Sequence, residues 1–364
     1  MRPAPPKMLI WASLFFATAL LAQEPRLTNA TVQRRPAAGG LEKSFQAALV
    51  SQTQPLWIGY SVPIVDGNHR ICCNSGNEDR LPAVLRHGHC LLEGHNDNMN
   101  FQTNDESDNS PRQEHLVVLF RAANGQVGKI RVFTEDCELD AGGLTVCWLD
   151  GVQSGESVTL LSRYVTSTAS GDKTSRQIAD SALTAVALHA DPAADLALDS
   201  FTAPSLPREV RKNAAFWLGN VCGQKGCDIL KRLLQSDQDK DVREQCVFAL
   251  TLSKSPDALA AIIKTAHQDP SAHVRGQALF WLGQRAGEKA VKAITDAIEN
   301  DPQTDVKKKA VFALSQLPKQ EGVPRLIEVA RKNRNREVRK DAMFWLGQSN
   351  DDRALAFFEE VLVK

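Results

Sequence analysis

Apolar positions in the C-terminal half recur on two scales at once. On the short scale, Val210, Ala214, Trp217, Leu218 and Val221 fall at i, i+4, i+7, i+8 and i+11, one stripe of a 3.6-residue period. A second amphipathic stretch follows: Ile229, Leu230, Leu233 and Leu234 in one copy, Leu259, Ile262 and Ile263 in the next. On the long scale, Val210, Val242, Val274, Val306 and Val338 stand 32 residues apart. Phe216, Phe248, Phe280, Phe312 and Phe344 keep that step, as do Leu218, Leu250, Leu282, Leu314 and Leu346. So do the small residues Ala214, Cys246, Ala278, Ala310 and Ala342, and the bases Arg211, Arg243, Arg275, Lys307 and Arg339. Such columns predict helix–turn–helix units that cannot bury both faces alone and stack side by side.

Punctuation refines the unit. Asp237, Asp269, Asp301 and Asn333 recur ahead of the last four Val, with Pro270 and Pro302 behind two of them. These read as helix N-caps with a first-turn proline, and Gly219 and Gly283 read as helix breaks. The recurring Asp and the base after Val are placed to pair across repeats, a ladder worth ~0–1 kcal/mol per exposed pair. A degenerate copy upstream (Ile178, Ala182, Leu183, Val186, then Leu196 and Leu198) and a last helix (Phe357, Phe358, Val361, Leu362) extend the array to six repeats over 173–364. The residue after each Phe alternates, Trp217, Ala249, Trp281, Ala313, Trp345, which is a 64-residue super-period. Gly219, Thr251, Gly283, Ser315 and Gly347 alternate with it. The alternation fits either big–small packing or a spaced tryptophan ladder for binding. The Trp shares a stripe with Val210 and Leu218, which favours the core.

The DxxxxVRxxAxxALG-type copies, among them "DPSAHVRGQALFWLGQ", resemble HEAT-like repeats of the phycobilisome-lyase kind over 173–364. That resemblance implies an α-α superhelix that binds proteins or peptides along an extended face. Deoxyhypusine hydroxylase, similar in repeat type, holds two irons with His-Glu pairs. The matching positions here are Lys212-Asn213, Glu244-Gln245, Gly276-Gln277, Lys308-Lys309 and Lys340-Asp341, so a di-iron role does not carry over. Bilin-lyase activity does not carry over either, because the repeat alone does not encode it.

Upstream the pattern is that of strands. Leu56 to Val62 reads as a strand, and Leu116–Arg121, Asn124-Gly125 and Val127–Phe133 as a hairpin with its turn. Leu144 to Leu149 is another strand, and Val158, Leu161 and Val165 mark a helix before a Ser/Thr/Gly linker at 166–175. The fold class is thus a C-terminal HEAT-like α-α superhelix behind a small β-rich domain, 41–165, which opens with a short helix from Leu41 to Val50. A polar insertion, Asn96 to Gln113, reads as a loop, and residues 23–40 as a flexible leader. Through "WIGYSVP", "CC" and "EDCELDAGG" this region resembles the leader domain found before such repeats in exported bacterial proteins, which implies architecture only. Residues 1–22 carry Arg2 and Lys7, an apolar run from Met8 to Ala22, and small residues at Ala17, Ala19 and Ala22. This reads as a signal peptide cleaved after Ala19 or Ala22, the run being short for a membrane span of roughly 20 residues.

Composition then narrows the function. Lys+Arg and Asp+Glu balance at 43 each, so no global field draws the chain to nucleic acid or to a membrane surface after cleavage. Export to a periplasm or beyond the cell makes the eight cysteines disulfide candidates before metal ligands. His69, Cys72, Cys73, His87, His89 and Cys90, with His95 near, are compatible with zinc or copper. The competing reading is a disulfide from Cys90 to Cys72 or Cys73. Cys137 with Cys147, and Cys222 with Cys227, bracket turns and read as further disulfides, while Cys246 reads as a buried thiol. Glu135, Asp136, Glu138 and Asp140 lack the glycine and closing Glu of a calcium loop. No nucleotide-binding glycine motif, GxSxG or HExxH occurs. The leading expectation is an exported, non-enzymatic scaffold that binds a protein or peptide, with Lys231, Arg232, Lys264, Arg325 and Arg331 as candidate contacts. The alternative is a metal-binding or redox-active N-terminal domain with the solenoid as partner grip.

Overall fold

The computed structural model describes residues 25–50, 54–67, 69–73, 89–94, 99–103, 114–285 and 287–363. The expected signal peptide, His87, His95 and most of the polar insertion lie outside them. In the N-terminal part the elements are β1 (Arg26–Thr28), β2 (Thr31–Pro36), α1 (Leu41–Val50), β3 (Leu56–Pro63), β4 (His69–Cys73), β5 (His89–Leu91) and β6 (Met99–Thr103). They continue as β7 (His115–Ala123), β8 (Gln126–Thr134), β9 (Glu138–Asp140), β10 (Thr145–Asp150) and α2 (Ser154–Thr168).

A five-stranded sheet, order β2-β10-β3-β7-β8, is the centre of this region. Its period-2 pattern sorts the side chains. Ile58, Tyr60, Val62, Val118 and Phe120 face one core, shared with α1, α2 and the repeats. Trp57, Val117, Leu119, Phe133, Val146 and Trp148 face a second core under the small sheets β1-β9-β5 and β4-β6. The β7–β8 turn has Asn124 at φ 53° and Gly125 at φ 72°, the left-handed pair that tight hairpins need. Two expectations are corrected. From residue 25 on, the leader expected to be flexible at 23–40 is ordered: β2 pairs in parallel with β10, and Arg34 Nε donates to Asp150 at 3.0 Å. Its side chains are mostly exposed, so its order comes from backbone bonds that composition does not reveal. Within the polar insertion, residues 99–103 pair with β4 as β6.

The linker at 166–175 is also corrected. α2 runs to Thr168, and α3 (Lys173–Ala187) starts at Asp172, whose carboxylate accepts from Ser175 N at 2.8 Å. Only a short turn separates them, and the β-rich region packs directly on the first repeat. Val65 N donates to Leu188 O at 2.8 Å and Ala190 N to Pro63 O at 3.0 Å. Beneath that seam lies a buried chain of polar groups. Tyr60 Oη and Ser157 Oγ are 2.8 Å apart, as are Ser157 Oγ and His189 Nε2, and His189 Nδ1 is 2.6 Å from Ala185 O. A carbonyl only accepts, so Nδ1 carries the proton, Nε2 accepts from Ser157, and Ser157 accepts from Tyr60. Burial pushes the His189 imidazole down to about 4, against the pull of the Ala185 carbonyl and Asp191, which keeps it neutral.

The repeats are helix pairs: α3 with α4 (Pro192–Ser200), α5 (Arg208–Val221) with α6 (Gly223–Ser236), and α7 (Lys240–Leu252) with α8 (Ala258–Gln268). α9 (Ala272–Gly283) pairs with α10 (Glu288–Asn300), α11 (Thr304–Ser315) with α12 (Lys319–Lys332), and α13 (Arg336–Gly347) with α14 (Asp352–Val363). The first helices of successive pairs stack directly, with the Val, Leu and small-residue columns buried between them. Among the described residues no helix is long and apolar enough to cross a membrane.

Three details differ from expectation. Gly219 does not break α5. A Cβ there would stand 2.2 Å from Ala249 O, and one on Gly283 2.7 Å from Ala313 O, so these glycines admit the next helix backbone. Asp237, Asp269, Asp301 and Asn333 are not N-caps but end the second helices, and each accepts from the backbone N two residues on. They form Asx turns that lead into the next repeat. The Asp–Arg ladder is buried rather than exposed: Arg243 grips Asp269 at 2.8 and 3.1 Å, and Arg275 grips Asp301 at 2.7 and 3.0 Å. Arg211 meets Asp237 at 3.0 Å. At the following step the pair is Lys307 and Asn333, and Lys307 Nζ turns to Glu299 O at 2.6 Å.

Candidate partner-binding faces

Each Phe of the repeat stands off the buried stripe, so it projects beside the seam between first helices. The rings join into one line. Phe216 stacks on Phe248 at 6.3 Å and Phe280 on Phe312 at 6.2 Å. Phe248 meets Trp281 at 5.1 Å and Phe312 meets Trp345 at 4.8 Å, while Phe280 and Phe344 each meet their own neighbouring Trp at 5.0 Å. Trp217 is buried, as big–small packing predicts. Trp281 and Trp345 also pack against the core but are only half-buried, so part of each ring stays open beside it; Phe344 is 57% exposed.

Two shallow grooves open on this line. One, of about 310 Å³, is lined by Phe248 and Trp281 with Lys212, Asp241, Glu244, Gln245 and Gln277. The other, of about 540 Å³, holds Phe312, Phe344 and Trp345 among His273, Asp305, Lys308, Lys309 and Asp341. Burial raises the Asp341 carboxyl above its ordinary range, with Lys308 and Trp345 opposing. The signal for this face was present in the sequence as the Phe column and the Trp alternation, but neither shows from spacing how much of each ring stays exposed.

The five basic candidates sit on the second helices. Lys231 and Lys264 are brought together, on a groove of about 560 Å³ between α6 and α8, where Ala260, Ala261 and Thr265 leave room beside Leu234. Arg232 lines a neighbouring groove of about 420 Å³, and Arg325 and Arg331 lie apart from these on α12. Most are engaged within the chain. Lys231 pairs with Asp228 at 2.7 Å and Asp257 at 3.1 Å, and Arg232 with Asp199. Arg331 pairs with Glu360 and lies over the Phe357 ring at 5.3 Å, and Arg325 Nη1 donates to Glu321 O at 2.9 Å.

In the β-rich region, disulfides join Cys72 to Cys137 and Cys73 to Cys90, with Cα–Cα distances of 5.7 and 5.3 Å. The expected Cys137–Cys147 bond is corrected: Cys137 lies in the core under the small sheets, while Cys147 points through the opposite face of the central sheet. Cys222 and Cys227 are free thiols too, Cys227 buried inside α6 and Cys222 at its start. Burial pushes Cys222 up to about 12, which makes it a poor nucleophile. Of the zinc or copper candidates, His69 lies on β4 and His89 on β5, and Cys72, Cys73 and Cys90 all have sulfurs bonded to sulfur. Asp136 brings a carboxylate to within 4.8 Å of the Cys72 and Cys137 sulfurs. Sequence reasoning missed Glu93, which accepts from Trp57 Nε1 at 2.8 Å and Arg121 Nε at 2.6 Å. Nothing local to Glu93 signals that role.

The family model for HEAT repeats matches residues 201–269, 233–315, 259–344 and 291–364. The C-terminal region is a HEAT-like α-solenoid. Human deoxyhypusine hydroxylase in complex with glycerol is 15% identical, over 57% of this chain and 90% of its own, with a TM-score of 0.25. YibA of Escherichia coli is 16% identical over 57% and 76%, with a TM-score of 0.34. The complex of CpcE and CpcF of phycocyanin lyase from Nostoc is 22% identical over 57% and 80%, with a TM-score of 0.30. Comparison with curated proteins gives no match.

Proposed function

We propose that this protein is an exported, non-enzymatic scaffold that grips a protein or peptide along the first-helix face of its solenoid. The observation that supports it is the line of half-buried aromatic rings ending at the exposed Phe344, because rigid aromatic anchors carry much of the energy at protein interfaces. On the second-helix face Lys231, Arg232 and Arg331 already have carboxylate partners within the chain, so an incoming charge gains little from them. The basic start, apolar run and small residues before Glu24 support export. A photo-crosslinking residue placed at Lys308 tests the reading beside one at Lys264, each in the exported fraction of the native host. An adduct at Lys308, on a chain whose N-terminus lies past Ala19 or Ala22, is expected. An adduct at Lys264 alone would move the site to the other face, and an uncleaved cytosolic chain would remove export.

A second reading, a zinc or copper site near the Cys72–Asp136–Cys137 cluster, needs reduced cysteines. A thiol count on the denatured protein separates the two: four free thiols are expected, from Cys147, Cys222, Cys227 and Cys246. All eight cysteines free, with bound metal by elemental analysis, would restore the metal site.

A further inference from the structure

The two grooves on the first-helix face are one site built twice. Each forms where the Phe of an Ala-type repeat meets the Trp of the repeat after it, Phe248 with Trp281 and Phe312 with Trp345. The 64-residue super-period therefore sets their separation at two first-helix steps. Packed helices stand 8–10 Å apart, so the grooves lie roughly 16–20 Å from one another. An extended chain covers that distance in about five or six residues at ~3.3 Å each. Between them, Phe280 stacks on Phe312 and touches Trp281, so the floor stays aromatic from one groove to the other.

The grooves differ in charge. In the first, Lys212 is held by Glu209 at 3.2 Å and Asp241 by Arg208 at 3.0 Å, which leaves Glu244, beside His273 at 2.8 Å, to set the local charge. In the second, Lys308 and Lys309 face Asp305 and Asp341, with Lys308 and Asp341 3.9 Å apart. Charge complementarity therefore asks for a cation at the first groove and makes no such demand at the second.

We infer that the first-helix face takes a single extended peptide segment through two anchors, bulky apolar or aromatic side chains five or six residues apart, with a Lys or Arg beside the anchor that enters the Phe248–Trp281 groove. This rests on the partner-binding reading of the same face. Two linked anchors bind far better than either alone, because the second engagement is intramolecular. The spacing of the two anchors is therefore the property that the solenoid selects.

A displayed library of random linear peptides, panned on the full-length protein, tests this. Enriched peptides should carry two bulky side chains at that spacing and a base beside one of them. Glu244→Lys and Phe344→Ser, both at solvent-accessible positions, should each weaken such a peptide about tenfold, as should inserting three residues between its anchors. Circular dichroism of both variants should match the parent. Enriched peptides with one anchor, or indifferent to the insertion, would overturn the two-groove inference while leaving the face as a binding site if Phe344→Ser still weakens them. Peptides indifferent to both substitutions, or no enrichment at all, would overturn the inference and the binding role of this face together.

Discussion

In the β-rich region each contact is made once. Glu93 clamps Trp57 and Arg121, two disulfides cross three small elements, and β2 owes its place to a parallel ladder with β10. In the solenoid the same contact recurs from copy to copy, as in Arg211–Asp237, Arg243–Asp269 and Arg275–Asp301, and lapses where a column changes residue, as at Lys307 and Asn333. The first region is held by particular partners far apart in sequence and the second by a rule. A single substitution should therefore act in the solenoid according to its column and to whether the neighbouring repeat supplies that column's partner, and in the sheet region according to its one partner.

The largest effect should come from the buried ladder. Arg243→Ala leaves Asp269 buried without its guanidinium and should cost about 3–5 kcal/mol in urea unfolding, whereas Lys307→Ala, facing a neutral Asn333, should cost under about 1 kcal/mol. Equal losses would mean that the Arg–Asp pairing is not what this column contributes to stability. Opening the sheet region's staple with Cys72→Ser and Cys137→Ser should cost about 2–5 kcal/mol. The near-ultraviolet signal from Trp57 and Trp148 should fade first while helical ellipticity persists; simultaneous loss of both signals would show one cooperative unit.

At the seam between the regions, the His189 imidazole is held near 4, below its ordinary 6.5. The unfolded chain binds that proton first as pH falls, so the stability is full above about 6.5 and lost towards 4, roughly 3 kcal/mol in all. His189→Gln can still donate to Ala185 O and accept from Ser157, and should flatten that slope in pH-dependent melting. A slope unchanged by the substitution would place the acid sensitivity elsewhere. The smallest contrast is between two glycines of one column. Gly219→Ala drives a Cβ into the Ala249 carbonyl and should cost about 1–3 kcal/mol, while Gly347→Ala meets nothing within 4 Å and should be neutral or slightly stabilising. Similar melting temperatures for the two variants would refute the close-approach explanation of the Gly positions.

The repeat, its helix pairs and the Asn124-Gly125 hairpin were legible because each rests on local periodicity or turn chemistry. The Asp column was visible as well, yet its role was misread, since a helix end and a helix start lie only two residues apart there. The order of β2 and the pairings Cys72–Cys137 and Cys73–Cys90 were not legible, because they depend on which distant strands become neighbours. The aromatic face was half legible. Spacing placed Trp281 and Trp345 on the buried stripe, but it does not report that the grooves beside them leave their edges open.

Phe344 and Leu355 are both large, apolar and exposed, on α13 and α14 respectively, and Phe344 alone of the two lines a groove of the aromatic face. The affinity of the crosslinked partner for Phe344→Ser and for Leu355→Ser, measured beside the parent, tests the binding face most directly. Loss of about tenfold or more with Phe344→Ser, no change with Leu355→Ser, and equal melting temperatures are predicted. Full affinity in the Phe344→Ser protein would contradict the account.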